Sequence, residues 1–252
     1  MDKIIDIHTH ILPGIDDGSR NIEESIEIIN YLYSVGITDI VLTSHYVCDT
    51  VYNYNQLVRV KLLNNLKEKL NNDKIHLYLG NEVYLNDKII DLLESHEIST
   101  INDTKYMLVE LPLAGYLNNF QSILCDLNSY GIIPIIAHPE RYQFIQKNKK
   151  RIRELLEFNC LLQCNIDSLT GKYGKRAKRI MKWLLKKDLV QFVATDTHYV
   201  SSDKELKKAY NKLEKLAGKD KYDELTYLNP NKLLNNQDIQ GNLDYLIKEE
   251  KK

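Results

Sequence analysis

Short apolar segments alternate with longer amphipathic segments along most of this 252-residue chain. The apolar segments are rich in Ile, Val, Leu and Tyr, and each is short enough to form a strand that is buried on both faces. They lie at Ile4–Ile7, Asp39–Thr43, Ile75–Leu79, Tyr106–Leu111, Ile132–Ala137, Leu161–Ile166 and Val190–Thr195. This alternation predicts an α/β fold with a parallel sheet, either a barrel or a doubly wound sheet.

The clearest helix pattern begins after Asn21, which suits the N-cap position, and Glu24 follows three residues later as in a capping box. Apolar side chains then recur at helical spacing as far as Tyr33, and Gly36 suits the position just past the helix. Further helices are predicted near Asn55–Leu70, Asp87–His96, Asn118–Tyr130, Lys149–Phe158, Lys175–Lys187 and Asp203–Leu216. The sequence therefore predicts seven β–α units in series.

No Pro-, Gly- or Ser-rich linker divides the chain, which favours a single domain over residues 1–237. Residues 238–252 are polar, and we expect them to form a loose terminal helix or a disordered tail. The first residues do not resemble a signal peptide, and no apolar run approaches the roughly 20 residues of a membrane span. Lys and Arg total 34 against 35 Asp and Glu, whereas a protein that coats nucleic acid is usually far more basic. We therefore expect a soluble, cytoplasmic protein with no membrane insertion and no nucleic-acid partner.

Several common catalytic motifs are absent from the sequence. The glycines form neither a G-x-G-x-x-G fingerprint nor a Walker A loop, and there is no G-x-S-x-G elbow. No cysteine is followed by an arginine six residues later, which excludes a phosphate-binding C-x5-R loop. Cys160 and Cys164 lie in an apolar segment, where a free cysteine packs as a small hydrophobic residue.

Ionisable side chains instead cluster where the predicted strands end. His8 and His10 end the first strand, and side chains at i and i+2 of an extended chain point to the same side. Asp196 and His198 end the last strand with the same spacing. Further histidines and carboxylates at or just past strand ends are His45, Glu82, Glu110 and His138, and Asp16 and Asp17 follow the first strand.

The carboxyl ends of the strands of a parallel barrel meet at one face, where such folds carry their chemistry. Imidazole and carboxylate ligands without thiolate suit Mn, Fe or Zn, and there are enough of them for two or three ions. The pattern therefore predicts a metal site at this face.

Parts of the pattern also have structural interpretations. A strand histidine can simply be hydrogen-bonded in the core, and Glu110 can form an ion pair with a buried arginine. Asp16-Asp17-Gly18 can be a turn with an Asx cap. His76 and His96 lack such neighbours and are expected at the surface. The recurrence of ligand-type residues on six strands favours the metal site.

The segment Asp6–Ser19, which reads DIHTHILPGIDDGS, resembles the opening of the polymerase and histidinol phosphatase (PHP) superfamily. More closely, it resembles the manganese-dependent protein-tyrosine phosphatases of bacterial capsule and exopolysaccharide operons. Matching segments follow as far as about residue 235, at Thr43–His45, Gly80–Tyr84, Ala137–Tyr142, Gln163–Asn165 and Thr195–His198. Departures from the family pattern at Thr43–Tyr46, Thr195 and Thr197 remove no ligand.

This resemblance implies a distorted seven-stranded β/α barrel, PHP-type and TIM-like, that holds three Mn ions. It implies a first ion held by His8, His10, Glu82 and Asp196, and a second held by Glu82, Glu110 and His138. The third ion would be held by Asp17, His45 and His198, with Asp17 preferred to Asp16 by motif alignment. Arg141 matches the arginine that contacts the phosphate.

The resemblance also implies the reaction. A hydroxide that bridges the ions would attack phosphorus in line, and Arg141 would bind the phosphoryl oxygens through two hydrogen bonds. The implied substrate is the phosphotyrosine-rich C-terminal tail of a partner bacterial tyrosine kinase that controls polysaccharide export.

Other functions are also compatible with the pattern. One is a PHP phosphoesterase for a small phosphate ester such as histidinol phosphate, although its opening motif less often reads LPGIDDGS. Another is a non-catalytic metal-binding regulator, from which we would expect some ligands to be lost. The basic residues between Lys175 and Lys187 form either a solvated helix face or a docking site for an acidic phosphopeptide, and nucleic-acid binding is a third interpretation.

Overall fold

The computed structural model of the chain describes residues 3–242 and 245–246. Most of the predicted tail, residues 243–244 and 247–252, lies outside the described residues. The boundary at residue 237 therefore stays a prediction.

Parallel β-strands form the centre of the described part of the chain, where they fall into two hydrogen-bonded sheets. In chain order the strands are β1 (Ile4–Thr9), β2 (Ile37–Leu42), β3 (His45–Tyr46), β4 (His76–Leu79), β5 (Glu82–Tyr84), β6 (Tyr106–Glu110), β7 (Ile133–Ala137), β8 (Leu161–Asn165) and β9 (Phe192–Ala194). The sheet orders are β1-β2-β4 and β3-β5-β6-β7-β8-β9, and all of these pairings are parallel. Each of the seven predicted strand segments overlaps one of these strands, and β1 and β2 extend beyond the predicted bounds, to Thr9 and back to Ile37.

The short strands β3 and β5 were not predicted. Each continues the direction of a longer strand, β2 or β4, after a break of two residues at Thr43-Ser44 or Gly80-Asn81. Backbone hydrogen bonds across the breaks, such as Gly80 N–H to the Leu42 carbonyl (3.1 Å), keep the pieces in place. After the breaks the chain continues as β3 and β5, which pair with each other so that His45 lies directly opposite Glu82.

The first and last strands also meet. The Asp196 N–H donates to the His8 carbonyl (2.9 Å), and the His10 N–H donates to the Thr197 carbonyl (2.9 Å). Asp6 reinforces the junction, because its buried carboxylate accepts hydrogen bonds from the N–H and the hydroxyl of Thr195 (3.1 and 2.6 Å). Residues at opposite ends of the sequence are therefore adjacent at this edge.

Helices follow most of the strands. They are α1 (Ile22–Ser34), α2 (Gln56–Leu70), α3 (Ile89–Glu94), α4 (Phe120–Ser129), α5 (Gln143–Lys147), α6 (Arg153–Leu156), α7 (Gly174–Lys186), α8 (Asp203–Ala217), α9 (Lys219–Asp223) and α10 (Asn229–Leu234). The predicted helix over 149–158 is shorter, because its first turn is the 3₁₀ segment Lys149–Ile152. The single-turn helix α5 was not predicted, since five residues carry too little periodicity.

The start of α1 confirms the predicted cap. The Asn21 side chain accepts a hydrogen bond from the Glu24 N–H (2.9 Å), which satisfies one of the free donors of the first turn. The Glu24 carboxylate accepts from the Arg20 N–H (2.9 Å) rather than from Asn21, so the capping box is displaced by one residue. Gly36 has a φ of +99°, as expected past the end of a helix.

Two apolar clusters hold the sheet and its helices together. The larger one packs the helices on the strands and includes the buried Cys160 and Cys164, which confirms the packing interpretation of both cysteines. The smaller one lies among the strands and includes Leu108, Leu161 and Ala194. Because side chains alternate along a strand, Glu110 of β6 and Gln163 of β8 lie on the same face as Leu108 and Leu161, two positions before them.

Candidate metal centre

The structure brings the nine predicted ligands and Arg141 together at the carboxyl ends of the strands. Each lies within ion-pair or candidate-ligand distance of another member of the set. The set comes from β1, β3, β5, β6 and the segments that follow β1, β7 and β9: His8, His10, Asp17, His45, Glu82, Glu110, His138, Arg141, Asp196 and His198. Their residue types suit a hard or borderline divalent cation.

Glu82 lies at the centre of the group and is fully buried. Its Oε2 atom lies 3.1 Å from His8 Nε2, 3.3 Å from His10 Nε2 and 3.1 Å from His45 Nδ1. In the described part of the chain this oxygen nevertheless has no partner with hydrogen-bond geometry. Burial favours protonation of Glu82, but the surrounding imidazoles outweigh it and hold the pKa of this carboxyl well below its usual value. A carboxylate oxygen that faces several ring nitrogens without hydrogen-bonding to them fits a site for cations.

The pKa values of His8, in β1, and His10, just after it, are shifted in the opposite direction. Burial disfavours the charged imidazole of His8, but the carboxylates of Glu82 and Asp196 outweigh this and raise its pKa to about 9. The pKa of His10 is likewise raised, because Asp16, Asp196 and Glu82 outweigh the effect of burial. These groups therefore favour positive charge between the carboxylates.

A second group lies nearer the surface. His10, Asp17, His45 and His198 each offer one ligand atom, and these atoms lie within 4.8 Å of one another. Asp17 Oδ1 lies 3.3 Å from His198 Nε2 and 3.6 Å from His45 Nε2. The hydrogen bond from His198 lowers the pKa of Asp17 to about 2, although the side chain is 52% exposed.

Glu110 and His138 form the opposite side of the centre. His138 Nε2 lies 3.0 Å from Glu82 Oε1 and 3.6 Å from Glu110 Oε1. Burial and the neighbouring Glu82 raise the pKa of Glu110 to about 8. Among the described residues Glu110 has no ion pair with an arginine, so the structural interpretation of this residue does not apply.

The backbone is strained at two of these positions. His138 has a φ of +34° and Asp196 a φ of +55°, in the left-handed region that side-chain-bearing residues rarely adopt. Such strain is tolerated where the position of a side chain matters for function.

Asp16 and Asp17 have different environments although they are adjacent. Asp16 is buried against His10 Nδ1 (2.9 Å) and accepts from the N–H groups of His45 (3.1 Å) and Gly18 (3.0 Å). The last bond is the predicted Asx cap, so the turn interpretation is confirmed for Asp16. A Cβ at Gly18 would lie 1.9 Å from the His10 carbonyl oxygen, which explains the glycine. Asp17 is left free to face His198.

Two neutral side chains that the sequence did not assign a role link the two ends of the site. Asn165 Nδ2 donates to Asp196 Oδ2 (2.7 Å), and Gln163 Nε2 donates to Asn165 Oδ1 (3.0 Å). Gln163 Oε1 then lies 2.9 Å from His8 Nδ1. The Asp196 carboxylate can only accept hydrogen bonds, so it fixes which way the amides of Asn165 and Gln163 are turned. The oxygen of Gln163 therefore faces His8, and His8 must carry a proton on Nδ1. His8 Nε2 is thereby directed to the site as the ligand atom.

The break before Glu82 is fixed by a second network that sequence reasoning missed. The buried Arg59 of α2 donates from one nitrogen to the Gly80 carbonyl (3.0 Å) and to the Ser99 hydroxyl (3.1 Å). Asn81 accepts from the Ser99 N–H (3.0 Å) and donates to the Ser44 carbonyl (3.2 Å). The i, i+2 pair Gln163 and Asn165 carries a signal in the sequence, whereas nothing near Arg59 in sequence indicates its role.

Arg141 lies at the edge of the centre. Its guanidinium donates to Asp196 Oδ2 (2.8 Å), and its Cζ lies 4.5 Å from the ring centroid of Tyr173. It lines a cavity of about 160 Å³ together with Asp196, His198 and the rings of Tyr173 and Tyr199. Among the described residues Arg141 forms no ion pair with the neighbouring Glu140, whose carboxylate accepts from the Asn165 N–H (2.9 Å) and the Ser168 hydroxyl (2.7 Å).

The two histidines that were expected at the surface lie outside the site. His76 and His96 are exposed, as predicted. In the described part of the chain, no helix is both long and apolar enough to cross a membrane.

Comparison with known proteins connects this site to a family. The sequence model of the family described as "Capsular polysaccharide synthesis, CpsB/CapC" matches residues 4–235. The chain is 34% identical over 223 residues to a putative tyrosine-protein phosphatase, CapC, of Staphylococcus aureus, which covers 84% of this chain and 87% of that protein. It is 32% identical over 242 residues to the tyrosine-protein phosphatase CpsB of Streptococcus pneumoniae, which covers 93% of this chain and 99% of that protein.

The fold is similar as well. The chain superimposes with a TM-score of 0.86 and 33% identity on a structure from work on YwqE of Bacillus subtilis and CpsB of Streptococcus pneumoniae, described as unique metal-dependent tyrosine phosphatases. That similarity covers 94% of this chain and 96% of the other. The matches span nearly the whole chain and confirm the resemblance of its opening segment, so this protein belongs to the CpsB/CapC family of capsular polysaccharide synthesis.

Proposed function

We propose that this chain is a metal-dependent protein-tyrosine phosphatase. The supporting observation is the arrangement around Glu82, where three imidazole nitrogens lie 3.1–3.3 Å from one buried oxygen that lacks a hydrogen-bond partner among the described residues. Cations between these groups satisfy them. The relative in Streptococcus pneumoniae is named a tyrosine-protein phosphatase, which gives the substrate class.

The ligand sets follow from proximity and from the family pattern. We assign one ion to His8, His10, Glu82 and Asp196, a second to Glu82, Glu110 and His138, and a third to Asp17, His45 and His198. The proposed metal is Mn, with Fe and Zn as alternatives for the same donors. The position of Asp17 beside His198, and the hydrogen bonds that occupy Asp16, support the choice of Asp17.

The protein's own residues bind and orient the phosphate ester. When bound, the ions supply a water of lowered pKa as the nucleophile and neutralise charge on the phosphoryl oxygens. Arg141, held by Asp196 and by the ring of Tyr173, presents its remaining donors to the phosphoryl group. A tyrosine leaving group with a pKa of about 10 needs little proton donation compared with an alkyl alcohol. The buried Cys160 and Cys164 have raised pKa values because of burial, so neither provides the thiolate of a covalent mechanism.

The proposed substrate is the phosphotyrosine tail of a tyrosine kinase that regulates capsular or exopolysaccharide synthesis, and we place this activity in the cytoplasm. The description of the family as capsular polysaccharide synthesis supports this role.

Metal analysis and substrate comparison test the proposal together. The purified protein is assayed for Mn, Fe and Zn, and turnover is measured on a phosphotyrosine peptide, the matching phosphoserine peptide and histidinol phosphate. We expect bound divalent metal, preference for phosphotyrosine, and loss of activity on chelation that Mn restores. Full activity in metal-free protein would contradict the metal dependence. Preference for histidinol phosphate would indicate a small-molecule phosphoesterase, and bound metal without any turnover would indicate a regulator.

A further inference from the structure

Four lysines lie close together outside the metal centre, on two neighbouring helices. They are Lys178 and Lys182 of α7 and Lys208 and Lys212 of α8, and we call them the lysine cluster. Both helices pack on the 3₁₀ turn Ile166–Leu169 that follows β8. A cavity of about 770 Å³ beside the cluster is lined mainly by lysines of α8.

The fold holds these like charges together without acidic partners. Lys212 Nζ donates to the Leu169 carbonyl (2.8 Å), and Lys178 Nζ lies 3.5 Å from the Thr170 carbonyl. Among the described residues no carboxylate forms an ion pair with any of the four. Burial and then the nearby ammonium groups, Lys178 first, lower the pKa of Lys212. An anion that binds here would relieve this repulsion.

The lysine cluster is close to the metal centre. Asp167, in the same 3₁₀ turn, accepts a hydrogen bond from Lys172 (2.9 Å), and both line the cavity that contains Arg141 and Asp196. The 3₁₀ turn runs from Asp167, which lines this cavity, to Leu169, whose carbonyl binds Lys212. Because a 3₁₀ helix rises about 2 Å per residue, that carbonyl lies less than about 10 Å from the cavity. An extended peptide covers that distance and the length of a lysine side chain in about three to five residues.

We propose that the lysine cluster binds acidic side chains that flank the phosphotyrosine of the peptide substrate, an inference that rests on the proposed phosphatase function. A peptide whose phosphate reaches Arg141 passes over Tyr173 and Lys172 towards the lysine cluster on α7 and α8. Glutamates or aspartates about three to five residues from the phosphotyrosine then meet the cluster. A peptide is favoured over nucleic acid because the cluster continues from the phosphate-binding edge and the chain as a whole has a net charge of −1.

The test compares a variant in which the four lysines become glutamines with a matched control, both as the metal-loaded 252-residue chain. The variant is Lys178→Gln/Lys182→Gln/Lys208→Gln/Lys212→Gln. The control, Lys61→Gln/Lys67→Gln/Lys69→Gln/Lys74→Gln, removes the same charge from exposed lysines on and after α2. Each protein is assayed on a phosphotyrosine peptide with glutamates three to five residues to either side, on the same peptide with glutamines, and on 4-nitrophenyl phosphate.

We expect the cluster variant to lose about tenfold in kcat/KM on the acidic peptide through KM, since each exposed ion pair is weak and the four lysines act together. The glutamine peptide and 4-nitrophenyl phosphate should be hydrolysed as by the original protein. The preference for the acidic peptide should disappear at about 1 M salt, where charges are screened beyond about 3 Å. An equal loss in the control, or no preference for the acidic peptide in the original protein, would overturn the proposal.

Direct binding separates this proposal from the proposed function. If neither peptide is hydrolysed, the phosphatase function fails, and fluorescence anisotropy of the unphosphorylated glutamate peptide still tests the cluster. Weaker binding by the cluster variant than by the control supports the docking site, and equal binding overturns it. Tighter binding of a single-stranded oligonucleotide than of the acidic peptide overturns the assignment of a peptide as the occupant.

Discussion

Strands β1 and β8 lie on either side of β9 and contribute to the same centre in different ways. His8 lies near the end of β1 and His10 directly follows the strand, and their Nε2 atoms lie 3.1 and 3.3 Å from Glu82 Oε2. β8 ends in Gln163 and Asn165, which carry no charge and lie at hydrogen-bond distance from His8 and Asp196 instead. The site thus contains groups that can bind cations and neutral groups that fix which nitrogen of a histidine faces the cations.

This division has a physical reason. An imidazole can present either nitrogen, and the hydrogen bond made by one nitrogen decides which of the two remains free. The hydrogen bonds that run from His8 through Gln163 and Asn165 to Asp196 have only one consistent direction, because the last acceptor is a carboxylate. Loss of a histidine ligand at the end of β1 removes a metal-binding atom. Loss of a β8 amide leaves that metal-binding atom in place but no longer fixes its orientation.

The largest effect is expected for His8→Ala. The change removes a ligand atom from the centre, so turnover should fall by about a thousandfold or more. Circular dichroism should show an intact fold, and metal analysis should show fewer ions per chain. Because ligands of one centre act as a unit, His8→Ala/Glu82→Ala should be little worse than the single variant. Turnover close to the original at saturating Mn would contradict the ligand assignment.

Arg141→Lys should have the next largest effect. Arg141 and Asn165 share Asp196 Oδ2 as an acceptor, but only the guanidinium can also bind phosphate through two hydrogen bonds. We expect a loss of roughly 1.5–3 kcal/mol of transition-state stabilisation, or about ten- to a hundredfold in kcat/KM on a phosphotyrosine peptide. Metal content measured in the same preparation should be unchanged. A lower metal content would show that Arg141 acts on Asp196 rather than on substrate.

Gln163→Leu tests the role of the uncharged residues of β8 directly. Without the Gln163 carbonyl, His8 is no longer held in one tautomer, and metal affinity should fall by about ten- to a hundredfold. Excess Mn should restore turnover, which it cannot do for His8→Ala. Gln191→Leu is the matched control, because Gln191 is also a buried, hydrogen-bonded glutamine but its partners, Leu162 and Asn242, lie outside the centre. If both variants lose metal affinity equally, the effect comes from general destabilisation.

The smallest effect is expected for Cys164→Ala. Cys164 lies between Gln163 and Asn165 but faces the main apolar core, because alternate residues of a strand point to opposite sides. Stability should fall by about 1 kcal/mol in urea unfolding, while turnover stays within about twofold. A large loss of turnover in the folded variant would restore a thiol mechanism.

The strands that could be predicted are those in short segments rich in apolar residues, such as Ile4–Ile7, since burial on both faces leaves few polar positions. The breaks before His45 and Glu82 could not be predicted, because they depend on pairing with strands distant in sequence. Asp16 and Asp17 carry equal local signals, and only the fold of the loop separates them. The ligand-type residues could be recognised because histidines and carboxylates recur at the ends of apolar strands. Gln163 and Asn165 were not recognised, because they act through hydrogen bonds of uncharged side chains. The metal assignments themselves stay predictions.

The breaks in two strands also affect how the centre opens. β3 and β5 contain two and three residues, and they carry His45 and Glu82 opposite each other. Strands this short share few hydrogen bonds with their neighbours, so their amides should exchange with solvent by local opening rather than by global unfolding. A metal present at a hundred times its dissociation constant adds about 2.7 kcal/mol to the cost of that opening. The rate at which ions enter and leave should therefore follow the fluctuation of these two segments, while the rest of the sheet remains folded.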